Sequence, residues 1–191
     1  TLLWSILLIS LSLSAQSKKK LTPDNYKSWN RIKDVKIATN GSKVLYTLSG
    51  ERTNKELHIY NTRSEDTYIF PRADQPSIDY SGNIFMWKSV ADVDTIREQK
   101  RRKVKKEELP GDSLFIFDVV TNNTSVINTL KSYKTPDKYG GFVAYQLEPG
   151  GHHSDSLLLS KFKKKESNED GSRMILRHLS SEKEDTFYFV K

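Results

Sequence analysis

The sequence predicts an all-β protein: a partial β-propeller of about three four-stranded antiparallel blades, with a short N-terminal helix and a basic helical insertion. Three observations predict it. First, a glycine followed five residues later by an aromatic, inside a short apolar run, occurs three times: Gly41 to Tyr46, Gly82 to Trp87 and Gly140 to Tyr145. Second, a strand-like run follows each, at 57–61, 114–118 and 174–178. Third, another run closes each unit, at 67–70, 125–127 and 186–189. Such a unit cannot bury its apolar face alone and must stack on its own copies. The glycine spacings of 41 and 58 residues suit propeller blades that carry insertions.

The first 17 residues carry no charge. The largely apolar run 2–9 passes into the smaller residues 12–16 and then meets Lys18, Lys19 and Lys20. A membrane-spanning helix needs roughly 20 apolar residues. This shorter run reads as the hydrophobic region and cleavage site of a signal peptide over 1–15. A bacterial periplasmic or secreted protein, not held in the membrane after cleavage, is the expectation. The absence of cysteine fits that compartment, and it excludes a disulfide framework and thiolate metal sites.

Thr22, Pro23 and Asp24 form a helix start: a capping hydroxyl, a proline suited to the first turn and an acid at the positive helix end. A helical clip is therefore expected over 16–32, presenting Tyr26 and Trp29 to the first blade. Three blades are expected over 33–191. In the first, Ile32, Val35 and Ile37 mark the innermost strand, Asn40 and Gly41 a turn, and 44–48 the second strand. The continuous apolar run Val44, Leu45, Tyr46 suits a strand covered on both faces. The second and third blades are expected over about 74–130 and 131–190.

The units differ in one connection. The repeat glycine precedes the next strand by 16 residues in the first unit, and by 32 and 34 in the others. The added residues, about 90–112 and 148–172, are the charged ones, so two basic insertions are expected side by side on one rim. The first is expected to form an exposed helix within 92–109, halted by Pro110 and Gly111. The second, at 161–170, has little to bury and reads as a flexible loop. Three blades fall short of the four to eight that close a propeller, and an apolar strand runs up to the last residue. The chain thus reads as truncated at both ends, with open apolar faces that invite pairing with other chains.

The formal charge is +7. The excess sits at 18–20, 100–106 and 161–165. Such clusters can meet nucleic acid or anionic membrane, but solvated faces are their commoner role. The run 100–106 lacks interleaved aromatics for base stacking, so no nucleic-acid partner is expected.

The residues suggest no catalytic, cofactor or metal site. No Gly-x-Ser-x-Gly elbow occurs. His58 and His178 fall inside the repeated strand at the same or adjacent positions and read as structural. His152 and His153 are adjacent, hence on opposite faces of any strand, and lack a spaced partner ligand. Glu107 and Glu108 are a carboxylate pair of the kind that holds a substrate amine, but Lys105 and Lys106 beside them offer ion pairs.

Four segments carry a resemblance: 21–29, which opens Leu21, Thr22, Pro23; the basic insertion 94–114; 140–148; and 171–177. Together they resemble the propeller region of secreted bacterial serine peptidases of the prolyl oligopeptidase family. The blade motifs are shared by TolB-like propellers; the Leu-Thr-Pro opening and the insertion are more specific. The resemblance implies a propeller over a C-terminal α/β-hydrolase domain carrying Ser, Asp and His. That domain is absent from this chain, and no triad residue transfers to it. The propeller would restrict access, so that peptides enter and folded proteins do not. A non-catalytic propeller binding protein or glycan in the cell envelope is the alternative. A third reading, a basic anion-binding protein, predicts strong salt dependence. Peptide specificity and oligomeric state are left open.

Overall fold

The computed structural model describes residues 22, 25, 29–50, 53–104, 109–148 and 172–190. The expected signal peptide lies outside them. So does most of the N-terminal clip expected over 16–32: a single turn is described, in which the Asn25 N–H donates to Thr22 O at 2.9 Å, and Arg31 and Ile32 are strand rather than helix.

Strands β1 (Arg31–Ile37), β2 (Lys43–Ser49), β3 (Glu56–Asn61) and β4 (Thr67–Pro71) form an antiparallel sheet in chain order. A seven-stranded antiparallel sheet follows, again in chain order: β5 (Ala73–Ile78), β6 (Ile84–Ser89), β7 (Asp112–Asp118), β8 (Asn123–Lys134), β9 (Phe142–Leu147), β10 (Ser172–His178) and β11 (Glu184–Val190). Helix α1 (Val93–Arg101) sits between β6 and β7. Strand β8 serves two blades. Its first part pairs with β7 as far as Leu130, and Leu130 to Lys134 pair with β9. Thr129 bends it with φ 57°, and Arg72 makes the same bend between β4 and β5. Each outer strand thus continues into the inner strand of the next blade, and the result is about three blades in open sheets.

The register confirms the repeat. Tyr46 pairs with His58, Trp87 with Phe115 and Tyr145 with Ile175 on equivalent rungs. Two cores lie between blades. Leu45, Leu57 and Ile59 of the first blade pack with Ala73, Phe85, Trp87 and Phe117 of the second. Met86, Leu114 and Ile116 of the second pack with Val143, Tyr145 and Ile175 of the third. Phe70 reaches across the first core, with ring centroids 4.4 Å from Trp87 and 5.0 Å from Phe117. Each fully buried aromatic or aliphatic side chain here contributes about 1.5–3 kcal/mol.

Burial distinguishes the blades. In β6, Phe85, Met86 and Trp87 are all buried, because blades stand on both sides. In β2, burial alternates: Lys43, Leu45 and Thr47 are buried, Val44 and Tyr46 half-buried. The expectation that 44–46 is covered on both faces therefore fails. Among the described residues, blade two covers one face of blade one.

The repeat glycines mark blade contact. Ala38 and Asp79 stand on equivalent rungs, their N–H groups donating to Lys43 O at 2.9 Å and Ile84 O at 2.8 Å. A Cβ placed on Gly82 would lie 3.0 Å from the Ala38 Cβ of the preceding blade. One on Gly140 would lie 3.0 Å from the Asp79 Oδ2 of its preceding blade. Asp79, only 2% exposed, accepts from the Ser81 N–H at 3.0 Å and the Gly141 N–H at 2.9 Å. Gly41 and Gly82 have φ 66° and 75°; in the third unit it is Gly141, one residue beyond the repeat position, that turns positive, at 89°.

Candidate functional site

The inner strands of the three blades converge on one groove. It has a volume of about 260 Å³ and is lined by Asp34, Lys36, Gln75, Ser77, Tyr133 and Lys134 among others. Two equivalent bulges shape it: the register shifts between Lys33 and Lys36 in β1, and between Asp74 and Ser77 in β5. Their central residues, Asp34 and Gln75, have φ 52° and 50°. A bulge adds one unpaired residue and re-aims its neighbours. Thr47 holds the first bulge by donating to Asp34 Oδ2 at 2.8 Å. Tyr133 holds the second. Its hydroxyl proton is shared between the carbonyls of Gln75 and Met86, the latter at 3.1 Å, and its oxygen accepts from Ser77 Oγ at 3.3 Å. Burial, and behind it the Asp74 carboxylate, outweighs the Ser77 hydrogen bond and pushes the phenol up to about 12.

Lys36 and Lys134 make no ion pair among the described residues, and both line this groove together with Asp34. Such a surface can hold a polar extended chain by charge and backbone hydrogen bonds. It contains no nucleophile with a base: Ser77 Oγ meets a phenol, and no imidazole lines the groove.

The rim is a second feature. Asn54, from the β2–β3 connection, donates to Asp92 Oδ2 at 2.6 Å and accepts from the Val93 N–H at 3.0 Å. Equivalent connections of blades one and two therefore meet on one side; that of blade three, 149–171, lies outside the described residues. Asp92 caps α1, accepting from the N–H groups of Asp94 at 2.9 Å and Thr95 at 3.1 Å. The Asn54 amide, followed by the Thr95 N–H, holds the Asp92 carboxyl below its ordinary value. The helix ends earlier than Pro110. Lys103 takes φ 56°, its N–H donates to Lys100 O, and the Val104 N–H donates to Gln99 O, both at 3.1 Å. This is the Schellman ending, here with lysine where glycine is usual. Arg97 pairs with Asp94 at 2.9 Å and Arg102 with Glu98, and no residue of α1 is buried.

Both described histidines make contacts within their own blades. His58 is buried, its ring stacked on Tyr46 at 5.1 Å, with Nε2 3.5 Å from Glu56 Oε2. His178 stands at the hairpin turn, where Nδ1 accepts the Ser181 N–H at 3.3 Å. Asn61 and Asp118 occupy the same rung and close their turns likewise, accepting from Arg63 N–H at 3.0 Å and Val120 N–H at 2.8 Å. The expectation that His58 and His178 share a repeat position is thus corrected: the register places them three residues apart. Glu107, Glu108, His152, His153 and the cluster 161–165 lie outside the described residues. Among the described residues no three metal-ligating side chains converge, and no helix is long and apolar enough to cross a membrane.

Neither a family model nor a curated protein matches the sequence. Solved structures do match the fold. The β-propeller domain of the Trilobed protease from Pyrococcus furiosus, described as having an open velcro topology, superposes with a TM-score of 0.51 at 12% identity, over 83% of this chain and 42% of that one. Acylaminoacyl peptidase of Pyrococcus horikoshii gives 0.50 at 9% identity, over 89% of this chain and 27% of that one. One of two prolyl endopeptidases compared for inter-domain dynamics gives 0.50 at 11% identity, over 85% and 23%. The chain spans less than half the length of each. At these identities the likeness shows the fold alone, and that fold is the β-propeller.

Proposed function

We propose that the chain is the N-terminal propeller part of an exported serine peptidase of the prolyl oligopeptidase type. The propeller restricts access, and a hydrolase domain supplied by further chain carries the chemistry. The observation that carries this reading is the coincidence of two independent likenesses. The segments 21–29 and 94–114 resemble that family in sequence. The fold superposes on propeller-bearing proteins described as a protease, an acylaminoacyl peptidase and prolyl endopeptidases. The inner-strand groove fits a surface that peptides pass, with two lysines and no nucleophile–base pair.

The test is hydrolysis of short peptides by the 191-residue chain and by the full-length protein, side by side. The chain alone is expected to be inert, and the full-length protein to turn over and be stopped by a serine-directed inhibitor. Inhibitor-sensitive turnover by the chain alone overturns the division of labour. An inert full-length protein with no serine elbow moves the reading to a binding propeller of the cell envelope.

A further inference from the structure

A second cleft, which shares no lining residue with the inner-strand groove, lies between the link of blades one and two and the start of α1, with a volume of about 320 Å³. Its floor departs from the blade repeat. The rungs Tyr46–His58, Trp87–Phe115 and Tyr145–Ile175 are equivalent. Two residues further toward the rim, the first blade carries Leu48 and Glu56 and the third Leu147 and Arg173. The second blade carries Ser89 and Ser113 there, and both line the cleft. Alternate residues share a face, so the two serines lie on the face of Trp87 and Phe115, the one toward blade one. Short hydroxyl side chains thus leave space that the long side chains of the other blades would fill.

The groups around that space are unevenly committed. Arg72, on the link between β4 and β5, is fixed by its backbone: φ is 57° and its carbonyl accepts the Val90 N–H at 3.0 Å. Its guanidinium lines the cleft and makes no ion pair among the described residues. Ser113 Oγ donates to Asn128 Oδ1 at 3.1 Å, which leaves the Asn128 NH2 group without a partner among the described residues. The Asp92 carboxylate is already engaged by Asn54, Asp94 and Thr95, and each of these acts on it more strongly than the charge of Arg72 does. Phe115, its ring stacked 5.5 Å from that of Trp87, and Val126, 47% exposed, supply an apolar wall.

We infer that this cleft binds a monocarboxylate with a short apolar body, the chemistry of a peptide's apolar C-terminal residue or of a free acid of that size. The planar guanidinium of Arg72 suits a carboxylate, which it can hold through two parallel hydrogen bonds. The Asn128 NH2 group is a second donor, and the apolar body rests on Phe115 and Val126. Asp92, ionised on the facing wall, opposes a second negative charge and so disfavours a phosphate dianion. The cleft stands at the small end of ligand sites, which run from about 300 to 1,000 Å³, so one residue rather than an extended chain fits it. The inference does not rest on the peptidase reading.

The experiment is an amide-shift titration of the 191-residue chain with N-acetyl-leucine, its uncharged analogue N-acetyl-leucinamide and the tripeptide Gly-Gly-Leu. N-acetyl-leucine is expected to shift the Thr95, Ser113 and Asn128 amides saturably, and the uncharged analogue to bind roughly tenfold more weakly or worse, as loss of a charged hydrogen-bond partner requires. Arg72→Gln should bring the acid down to the level of the analogue. Ser89→Leu, which places in the second blade the leucine that the other two carry, should abolish binding by filling the space. Far-UV circular dichroism verifies that both variants keep their strands. Tighter binding of Gly-Gly-Leu than of N-acetyl-leucine assigns the site to peptide ends, and the reverse order assigns it to free acids; either supports a carboxylate site. Equal binding of acid and analogue, shifts confined to other residues, no saturable shift at all, or an Arg72→Gln variant that binds like the wild type overturns the inference.

Discussion

Replacing each repeat glycine by alanine separates two demands that the blades place on that position. Gly41 has φ 66° and open space around its Cβ site. Gly41→Ala therefore adds only the left-handed backbone penalty, about 1–2 kcal/mol. Gly140 has no positive φ, but its Cβ site lies 3.0 Å from Asp79 Oδ2 and 3.4 Å from the Ser81 N. That carboxylate is pinned by two backbone N–H groups and cannot swing away without losing them. Gly140→Ala should cost about 1–3 kcal/mol, the range for overfilling a packed site. Gly82 combines φ 75° with an approach of 3.0 Å to the Ala38 Cβ, which sits on the backbone and has no rotamer to yield. The two terms then add, and Gly82→Ala should cost about 2–5 kcal/mol. Urea denaturation monitored by tryptophan fluorescence reads all three midpoints. The expected order of destabilisation puts Gly82→Ala first. A Gly82→Ala midpoint no lower than that of Gly41→Ala would refute blade contact as the reason for the repeat glycine.

Three further outcomes follow from single side chains. Asp79→Ala removes the acceptor of the Ser81 and Gly141 N–H groups, both in the blade contact. It should cost about 1–3 kcal/mol per stranded donor and lower the urea midpoint accordingly. The depressed carboxyl of Asp92 means that its capping contribution is complete above the ordinary aspartate value of about 3.9 and fades as pH falls through its lower folded value. Amide shifts of Asp94 and Thr95 followed from pH 6 to 2 should show that loss, and Asp92→Asn should flatten it. For Tyr133 the sign is opposite. The neutral phenol is favoured by folding below the ordinary tyrosine value of about 10, and that contribution is lost as pH rises through about 12. Burial and the Glu184 carboxylate raise Tyr145 as well, so absorbance titration of tyrosinate should show one fewer late-ionising group in Tyr133→Phe than in the wild type.

The blade repeat was legible because glycine reports backbone demands directly and the apolar runs keep strand spacing. Other features rest on contacts between distant residues. The inner strand β5 contains Pro76, and proline in a run argues against a strand unless a bulge accommodates it; here Gln75 provides that bulge. Nothing local announces that Asp34 and Gln75 turn left-handed, so the inner-strand groove had no sequence signal. Helix α1 was expected to run toward Pro110, but lysine rather than glycine supplies its left-handed ending at Lys103. Val44 and Tyr46 are as apolar as buried strand residues, and nothing local shows that they lie on the face of blade one away from blade two. The role of His178 was readable in principle, since alignment of the three units sets it opposite Asn61 and Asp118, two residues that close turns.

Stacked blades, with each glycine seated on the blade before it, are the centre of this account. Nuclear Overhauser spectroscopy tests that arrangement most directly. The Ala38 methyl should show a strong contact to the Gly82 α-protons, across 3.0 Å at the Cβ site, and the Ser81 amide proton should contact the Gly140 α-protons, across 3.4 Å at the Cβ site. Observation of both contacts, together with separate cross-strand networks for β1–β4 and β5–β11, is the predicted result. Absence of both, with β4 and β5 joined to their neighbours in one unbroken ladder, would contradict it.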